Sequence, residues 1–451
     1  MPTAQIPGPA GVPLLGSMLD LQRDPLGTYL SGHRDHGDVV RFVAGPPGLR
    51  VEIYGIYSPE GVQQVLATQA AKFRKENIFY EEIRQSFGNG LLTSQDEDYV
   101  RQRRLIQPLF TRRRVDGYAE AIAMETESLV ERWSAGQGRA VDAVDEMSRF
   151  ALRAVSRILF GADVEAALDS VRKNFPVLDH YVRSRGTQPK RIPRSWPTPG
   201  NREAAAAERA LYGVCDMIIA QRGEGAADSD DLLGLLAAAR DEDGNQLDPT
   251  ELRDQVLIFL LAGHETTATS LTFALHLLGH YPEVQRRVQA EVDEVFADGH
   301  RATAADYNRL PYLTMVLKEA MRLYPAAPVI GRMAVGECAI GDSVIPAGAT
   351  VLATPYVVHR HAKHWPDPER FDPERFTPEA EAGRHRYAWL PFGGGPRACI
   401  GQHFSMLESV LALAGVLRAF DVEALDAREV PLTHGITLAA TGPVRIGLTR
   451  R

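Results

Sequence analysis

Phe392-Gly393-Gly394-Gly395-Pro396-Arg397-Ala398-Cys399-Ile400-Gly401 sets one cysteine between a glycine-rich turn and an apolar helical run that begins near Gln402. A cysteine at a helix start meets unpaired backbone N–H groups and the positive end of the helix dipole, and both favour the thiolate. A soft anionic sulfur suits iron. Gly395 and Gly401 lack side chains where a flat macrocycle would lie against the backbone, Phe392 is placed to pack beside it, and Arg397 to meet an anionic edge. Gly393-x-Gly395-x-x-Ala398 also imitates a dinucleotide fingerprint, but no βαβ unit with a suitably spaced acidic residue follows it.

The rest of the chain bounds what such a site can belong to. No Ser/Gly linker, low-complexity tract or repeat divides the 451 residues, so we expect one domain over 1–451, with a β-rich region over about 1–75 and a helix-rich remainder. A hydrophobic share of 44% against 24% charged suits a globular protein with a substantial core and argues against disorder. Residues 1–16 are rich in proline and glycine, without the basic and apolar segments of a signal peptide. The longest apolar run, 256–263, is too short to span a bilayer. Cys215, Cys338 and Cys399 are too few and too scattered for a disulfide framework or a Cys-x-x-Cys zinc site, which fits a reducing cytoplasm.

Phe392, Gly395, Arg397, Cys399 and Gly401 match the heme-binding signature Phe-x-x-Gly-x-Arg-x-Cys-x-Gly without exception, and through it the chain resembles the cytochrome P450 family. The ten-residue match also sets aside a merely structural cysteine. The resemblance covers essentially the whole chain, most strongly from residue 95 onward. It implies a mainly α fold with small β-sheet regions, heme b as cofactor, and Cys399 as its axial ligand. Pro7 to Gly16 is similar to the proline-rich segment that follows the membrane anchor of microsomal members. With no anchor ahead of it, a soluble, cytoplasmic, bacterial-type enzyme is expected.

Asp248-Pro249-Thr250-Glu251 predicts a helix start, with Asp as N-cap, Pro at the first position and Glu placed to close a capping box. The helical pattern runs to about His280, roughly 45–50 Å at 1.5 Å per residue. Within it, Ala262-Gly263-His264-Glu265-Thr266-Thr267 sets an acid beside a hydroxyl in apolar surroundings. Thr266 can bond back to the Ala262 carbonyl and leave a groove for oxygen. The segment is similar to the family's Ala-Gly-x-Glu-Thr-Thr motif, which implies that Thr266 takes part in oxygen activation and Glu265 in proton delivery. Further helices are expected from Pro311 to before Pro325 and from Gln402 into Leu417, and strands between Ala339 and Val351 and between Thr437 and Leu448.

Glu319 and Arg322 share a helix face at i, i+3. By the resemblance they join Arg375, of Pro373-Glu374-Arg375-Phe376, in a buried structural network; the nearby Pro368-Glu369-Arg370-Phe371 repeats the tetrapeptide at the wrong spacing. Tyr99 and Arg103 match a Trp-x-x-x-Arg heme-propionate motif with Tyr in place of Trp, and Arg332 and Arg397 match the remaining propionate positions. Motif alignment puts Phe259, Ala262, Thr266, Ala327, Val329 and Ile330 at the substrate, with Phe79 and Phe87 upstream as further candidates. The proline-rich stretch from Gln188 to Asn201 is expected to loop over the entrance.

The net charge is −8, yet Arg101, Arg103, Arg104, Arg112, Arg113 and Arg114 concentrate positive charge near the predicted heme, as a dock for an acidic electron donor. The acidic total and sparse aromatic interleaving exclude nucleic acid. The resemblance implies a monomer that takes O2, electrons from a separate ferredoxin or flavodoxin with its NAD(P)H-dependent reductase, and a small, largely apolar substrate of secondary metabolism. Hydroxylation, epoxidation and oxidative coupling would use the same residues. A heme-thiolate rearrangement or peroxide-driven enzyme, which needs no proton relay, and a non-enzymatic heme sensor remain as alternatives.

Overall fold

Asp248 starts the helix that organises the fold. Its carboxylate accepts the Thr250 and Glu251 N–H groups at 2.7 and 2.9 Å, and Glu251 returns the bond to the Asp248 N–H at 3.0 Å. From this capping box the helix Pro249–His280 runs through the interior, apolar on nearly every side. By length and composition it would cross a bilayer, but 72% of its most apolar window is buried inside the protein, as for a core helix. The helix Ala143–Phe160 lies along it so closely that a Cβ on Gly263 would come 2.8 Å from Val155 Cγ2. The helices Pro311–Leu323 and Gln402–Ala419 pack on it as well, at the bounds the sequence predicts to within two residues.

The computed structural model describes residues 6–136, 140–161, 165–186, 188, 191–222, 232–241 and 244–451. Its main sheet has five strands in the order Val39–Ala44, Val51–Ile56, Thr350–Ala353, Ile330–Ala334 and Phe73–Arg74. Val39 pairs antiparallel with Ile56, Ile53 runs parallel to Thr350, and Ile330 opposes Ala353. The expectation of a sheet region over the first 75 residues is therefore half right. The strands at 39 and 51 form, but the next two strands of the sheet come from residue 330 onward, and the helices Met18–Arg23 and Pro25–His36 precede them. Asp24 caps the second of these by accepting the Gly27 N–H at 2.9 Å, with Pro25 at its first position, a start signal as strong as the one at Asp248.

Asp38 ties this N-terminal part to the chain after Pro355–Val358. It lies 3.1 Å from His361 Nε2 and 3.5 Å from His33 Nδ1, a spacing that a metal ion also uses. The proton positions decide otherwise. His361 Nδ1 accepts the Lys363 N–H and His33 Nδ1 faces the Gly37 carbonyl, so both rings turn an N–H towards Asp38 rather than a lone pair. The group is a hydrogen-bonded staple.

Candidate active site

The cysteine loop is built on two left-handed glycines, Gly393 at φ 68° and Gly395 at φ 67°. A Cβ on Gly395 would lie 1.8 Å from the Leu66 carbonyl oxygen, so this glycine lets the loop close onto Gln64–Thr68. It does not itself line the cavity. The Cys399 N–H donates to the Phe392 carbonyl at 2.9 Å, Tyr99 Oη donates to the Pro396 carbonyl at 2.7 Å, and Arg103 Nη1 donates to the Ala398 carbonyl at 3.0 Å. Tyr99 thus donates its hydroxyl proton to the loop and carries the Arg397 guanidinium 3.5 Å above its ring.

Cys399 is exposed only to a cavity of about 330 Å³ inside the protein, and neither Cys215 nor Cys338 reaches it. Burial pushes the Cys399 thiol up from its ordinary value, and the Gly401 N–H, Arg103 and Lys75 only partly oppose this. Desolvation thus works against the helix-start effect at this sulfur, and a bound metal cation would favour the thiolate.

Phe392, Gly401 and Ile400 line the cavity beside the sulfur. Ala262, Thr266 and Phe259 line it from the central helix. Ala327, Val329 and Ile330 close one flank and Phe79 and Phe87, from the helix Ile78–Phe87, the other. Every substrate candidate named from the sequence therefore lies on one cavity. At one edge stand Lys75, Arg103, Arg332 and Arg397, and among the described residues no carboxylate pairs with any of them. Lys75 is 8% exposed, with its ammonium 3.1 Å from the Leu92 carbonyl, and burial together with Arg332 and Arg397 holds it well below the ordinary lysine value. Arg397 Nη1 is buried without a partner. Such a cluster is costly unless an anion completes it. A flat ligand with two carboxylates on one edge and a metal at its centre fits: the cations would hold the edge and Cys399 the metal. Sequence reading missed Lys75, because nothing in Phe73-Arg74-Lys75-Glu76-Asn77 separates it from surface charge.

On the opposite wall the Thr266 hydroxyl donates to the Ala262 carbonyl at 2.8 Å, as the sequence predicts. Glu265 does not line the cavity. Its Oε1 is 3.1 Å from His264 Nε2 and its Oε2 is 3.3 Å from the hydroxyl of Thr437, which does line it. Beneath, Thr267 donates at 3.2 Å to Glu408, whose other oxygen has no partner; burial pushes this carboxyl up to about 8, which favours its neutral form.

Glu319 and Arg322, both fully buried, form a two-pronged bond at 2.7 and 2.8 Å; Arg375 approaches Glu319 at 3.4 Å, and Arg370 of the other tetrapeptide points outward. Arg322 also donates to the His359 carbonyl at 2.8 Å, and His359 Nε2 accepts the Leu390 N–H at 2.9 Å, two residues before Phe392. The network thereby reaches the cysteine loop through a histidine that no motif singled out. The basic stretch is less free than its sequence suggests. Arg101 pairs with Asp241 and Glu251, and Arg103 turns inward to Ala398, while Arg104, Arg112, Arg113 and Arg114 are its exposed residues.

The family model for cytochrome P450 matches residues 6–448, and the chain belongs to that family: it is a heme-dependent monooxygenase whose iron is carried on a cysteine thiolate. It is 38% identical to a cyclooctat-9-en-7-ol 5-monooxygenase of Streptomyces melanosporofaciens, over 90% of this chain and 87% of that protein. It is 34% identical to a pentalenene oxygenase of Streptomyces avermitilis, over 98% and 97%. The crystal structure of a cytochrome P450DA heme domain superposes with a TM-score of 0.89 at 28% identity, covering 100% of this chain and 98% of the other.

Proposed function

We propose that this protein oxygenates a cyclic terpene, hydrocarbon or singly hydroxylated, with Cys399 as the iron ligand. The observation that carries the reading is the apolar cavity over Cys399, walled by Phe79, Phe87, Phe259, Ala327, Val329 and Ile330, with a cluster of cations at the edge suited to heme carboxylates. A hydrocarbon skeleton gains about 25 cal/mol per Å² of surface buried there and asks for no polar partner. Heme supplies the oxygen chemistry when bound. The chain's own residues do the rest. Ala262 keeps the central helix free of bulk where the substrate must approach, Thr266 offers oxygen lone pairs to the cavity because its proton is committed to Ala262, and Glu265 holds an acid behind that wall.

The chain acts as a cytoplasmic monomer with a separate ferredoxin or flavodoxin and its NAD(P)H-dependent reductase. Arg112, Arg113 and Arg114 are exposed close to the helix that carries Arg103, and an acidic donor docking there would bind more weakly as salt rises. The test is incubation of the reconstituted holoenzyme with cyclooctat-9-en-7-ol and with pentalenene, followed by mass spectrometry. A product with one added oxygen atom, formed only with O2 and electron donor, is expected; no shift of the heme spectrum and no product with any cyclic terpene would overturn the substrate class.

A further inference from the structure

His264 and Glu265 are successive residues of a helix, and their side chains leave the axis about 100° apart. They nevertheless meet, His264 Nε2 standing 3.1 Å from Glu265 Oε1. Donor and acceptor bookkeeping at the ring then leaves one arrangement. His264 Nδ1 lies 2.7 Å from the Leu260 carbonyl, which can only accept, so Nδ1 carries a proton. In a neutral imidazole Nε2 would present a lone pair, and a lone pair facing a carboxylate oxygen at 3.1 Å, on a ring only 1% exposed, is repulsive. The contact is a hydrogen bond only if one proton lies between the two groups. The other carboxylate oxygen faces the Thr437 hydroxyl at 3.3 Å, a distance that a small side-chain torsion shortens, and Thr437 is on the cavity wall.

We propose that His264 and Thr437 complete the proton supply of this enzyme: His264 and Glu265 hold one proton in common, and the Thr437 hydroxyl passes it to the cavity. This rests on the oxygen-activating role of Glu265. In the transfer Glu265 takes the shared proton from His264 and the carboxyl turns so that this proton sits on the oxygen facing Thr437; it passes to Thr437 Oγ while the Thr437 O–H proton moves to a water molecule in the cavity. The pair goes from neutral to one negative charge, no electron moves, and the pair is recharged from solvent through Glu265, whose side chain is 24% exposed. Asp179 holds the turn that carries Thr437, accepting the Ile436 N–H at 2.7 Å and leaving no room for a Cβ at Gly435. The other titratable and charged groups around the pair are Asp179 itself, with His180 and Arg183 beside it; the edge of Phe175 covers the His264 ring at 5.9 Å. Burial and the nearby Glu265 raise the Asp179 carboxyl, against the Ile436 N–H.

The direct test reads the proton, on isotope-labelled imidazole nitrogens in the reduced, carbon-monoxide-bound holoprotein at neutral pH, with the His264 signal assigned by its loss in His264→Gln. The wild type should show both ring nitrogens protonated or sharing a proton, and Glu265→Gln, whose amide can donate to Nε2, should show Nε2 unprotonated. In parallel, Thr437→Val should raise the share of consumed electrons that appears as peroxide several-fold, and Thr437→Ser should restore it. An unprotonated Nε2 in the wild type, or a Thr437→Val protein with the wild-type peroxide share, would overturn the proposal. A wild-type protein without the carbon-monoxide band of thiolate-bound heme would overturn the monooxygenase reading beneath it instead.

Discussion

The hydroxyl proton of Thr266 is committed to the Ala262 carbonyl at 2.8 Å, so what Thr266 offers the cavity is an acceptor oxygen. Thr266→Ala removes that oxygen without touching Cys399 or the cationic edge. The variant should keep its heme and lose coupling: electrons from NAD(P)H appear as peroxide, product per electron falls about tenfold or more, and tight coupling would contradict the assignment. Lys75→Met probes the opposite edge. A charge-assisted bond to an anion contributes about 1.5–3 kcal/mol, so heme should transfer to an acceptor apoprotein roughly ten to a hundred times faster than from the wild type. An unchanged transfer rate would mean that the cluster serves some other anion. These two residues also mark what a sequence can disclose. Thr266 is legible because its neighbours along the helix define it, whereas Lys75 acquires meaning only from Arg332 and Arg397, more than 250 positions away.

At the scale of elements, the helix Pro311–Leu323 carries Glu319 and Arg322 to a junction with the Pro373–Phe376 turn and, through His359, with the cysteine loop. Glu319→Ala leaves two buried guanidinium groups without their carboxylate, a cost of about 3–5 kcal/mol. It should give protein that fails to retain heme, and a stable, fully heme-loaded variant would contradict the network. His359 adds a pH dependence. Burial and the adjacent Arg322 lower it from 6.5 to about 3, because the folded protein holds the ring neutral between the Arg322 carbonyl and the Leu390 N–H. The unfolded chain takes up the proton first, so stability falls as pH drops from 6.5 towards 3, by about 1.4 kcal/mol per unit at full slope. Denaturation midpoints across that range should show the loss, reduced in His359→Phe. The helices at Asp248, Pro311 and Gln402 were readable from caps, prolines and periodicity. The join at His359 was not, since a lone histidine carries no mark of the two backbone groups it will bridge.

Across the whole molecule, burial acts on acids and bases with opposite sign. Glu408, fully buried under the central helix, is raised from 4.5 to about 8. Here the unfolded chain loses the proton first, so stability falls as pH rises from 4.5 to 8. Glu408→Gln removes a titration whose full reach is of the order of a few kcal/mol, and should flatten the alkaline side of the stability curve while leaving the acid side to His359. A variant with the wild-type alkaline slope would contradict a neutral Glu408. The fold class and the ligand loop were legible at this scale because each is written in a contiguous stretch or a repeated period. The main sheet was only half legible, because Thr350–Ala353 and Ile330–Ala334 insert between strands from the first 75 residues, a pairing set by three-dimensional closure around the cavity.

Everything proposed for this enzyme depends on Cys399 presenting a thiolate to iron in the apolar cavity. The most direct measurement is the difference spectrum of the reduced holoprotein with and without carbon monoxide. A strongly red-shifted Soret band, lost in Cys399→Ser, is the predicted result. A band at the position of histidine- or thiol-ligated heme in a folded, oxygen-consuming wild-type protein would contradict it.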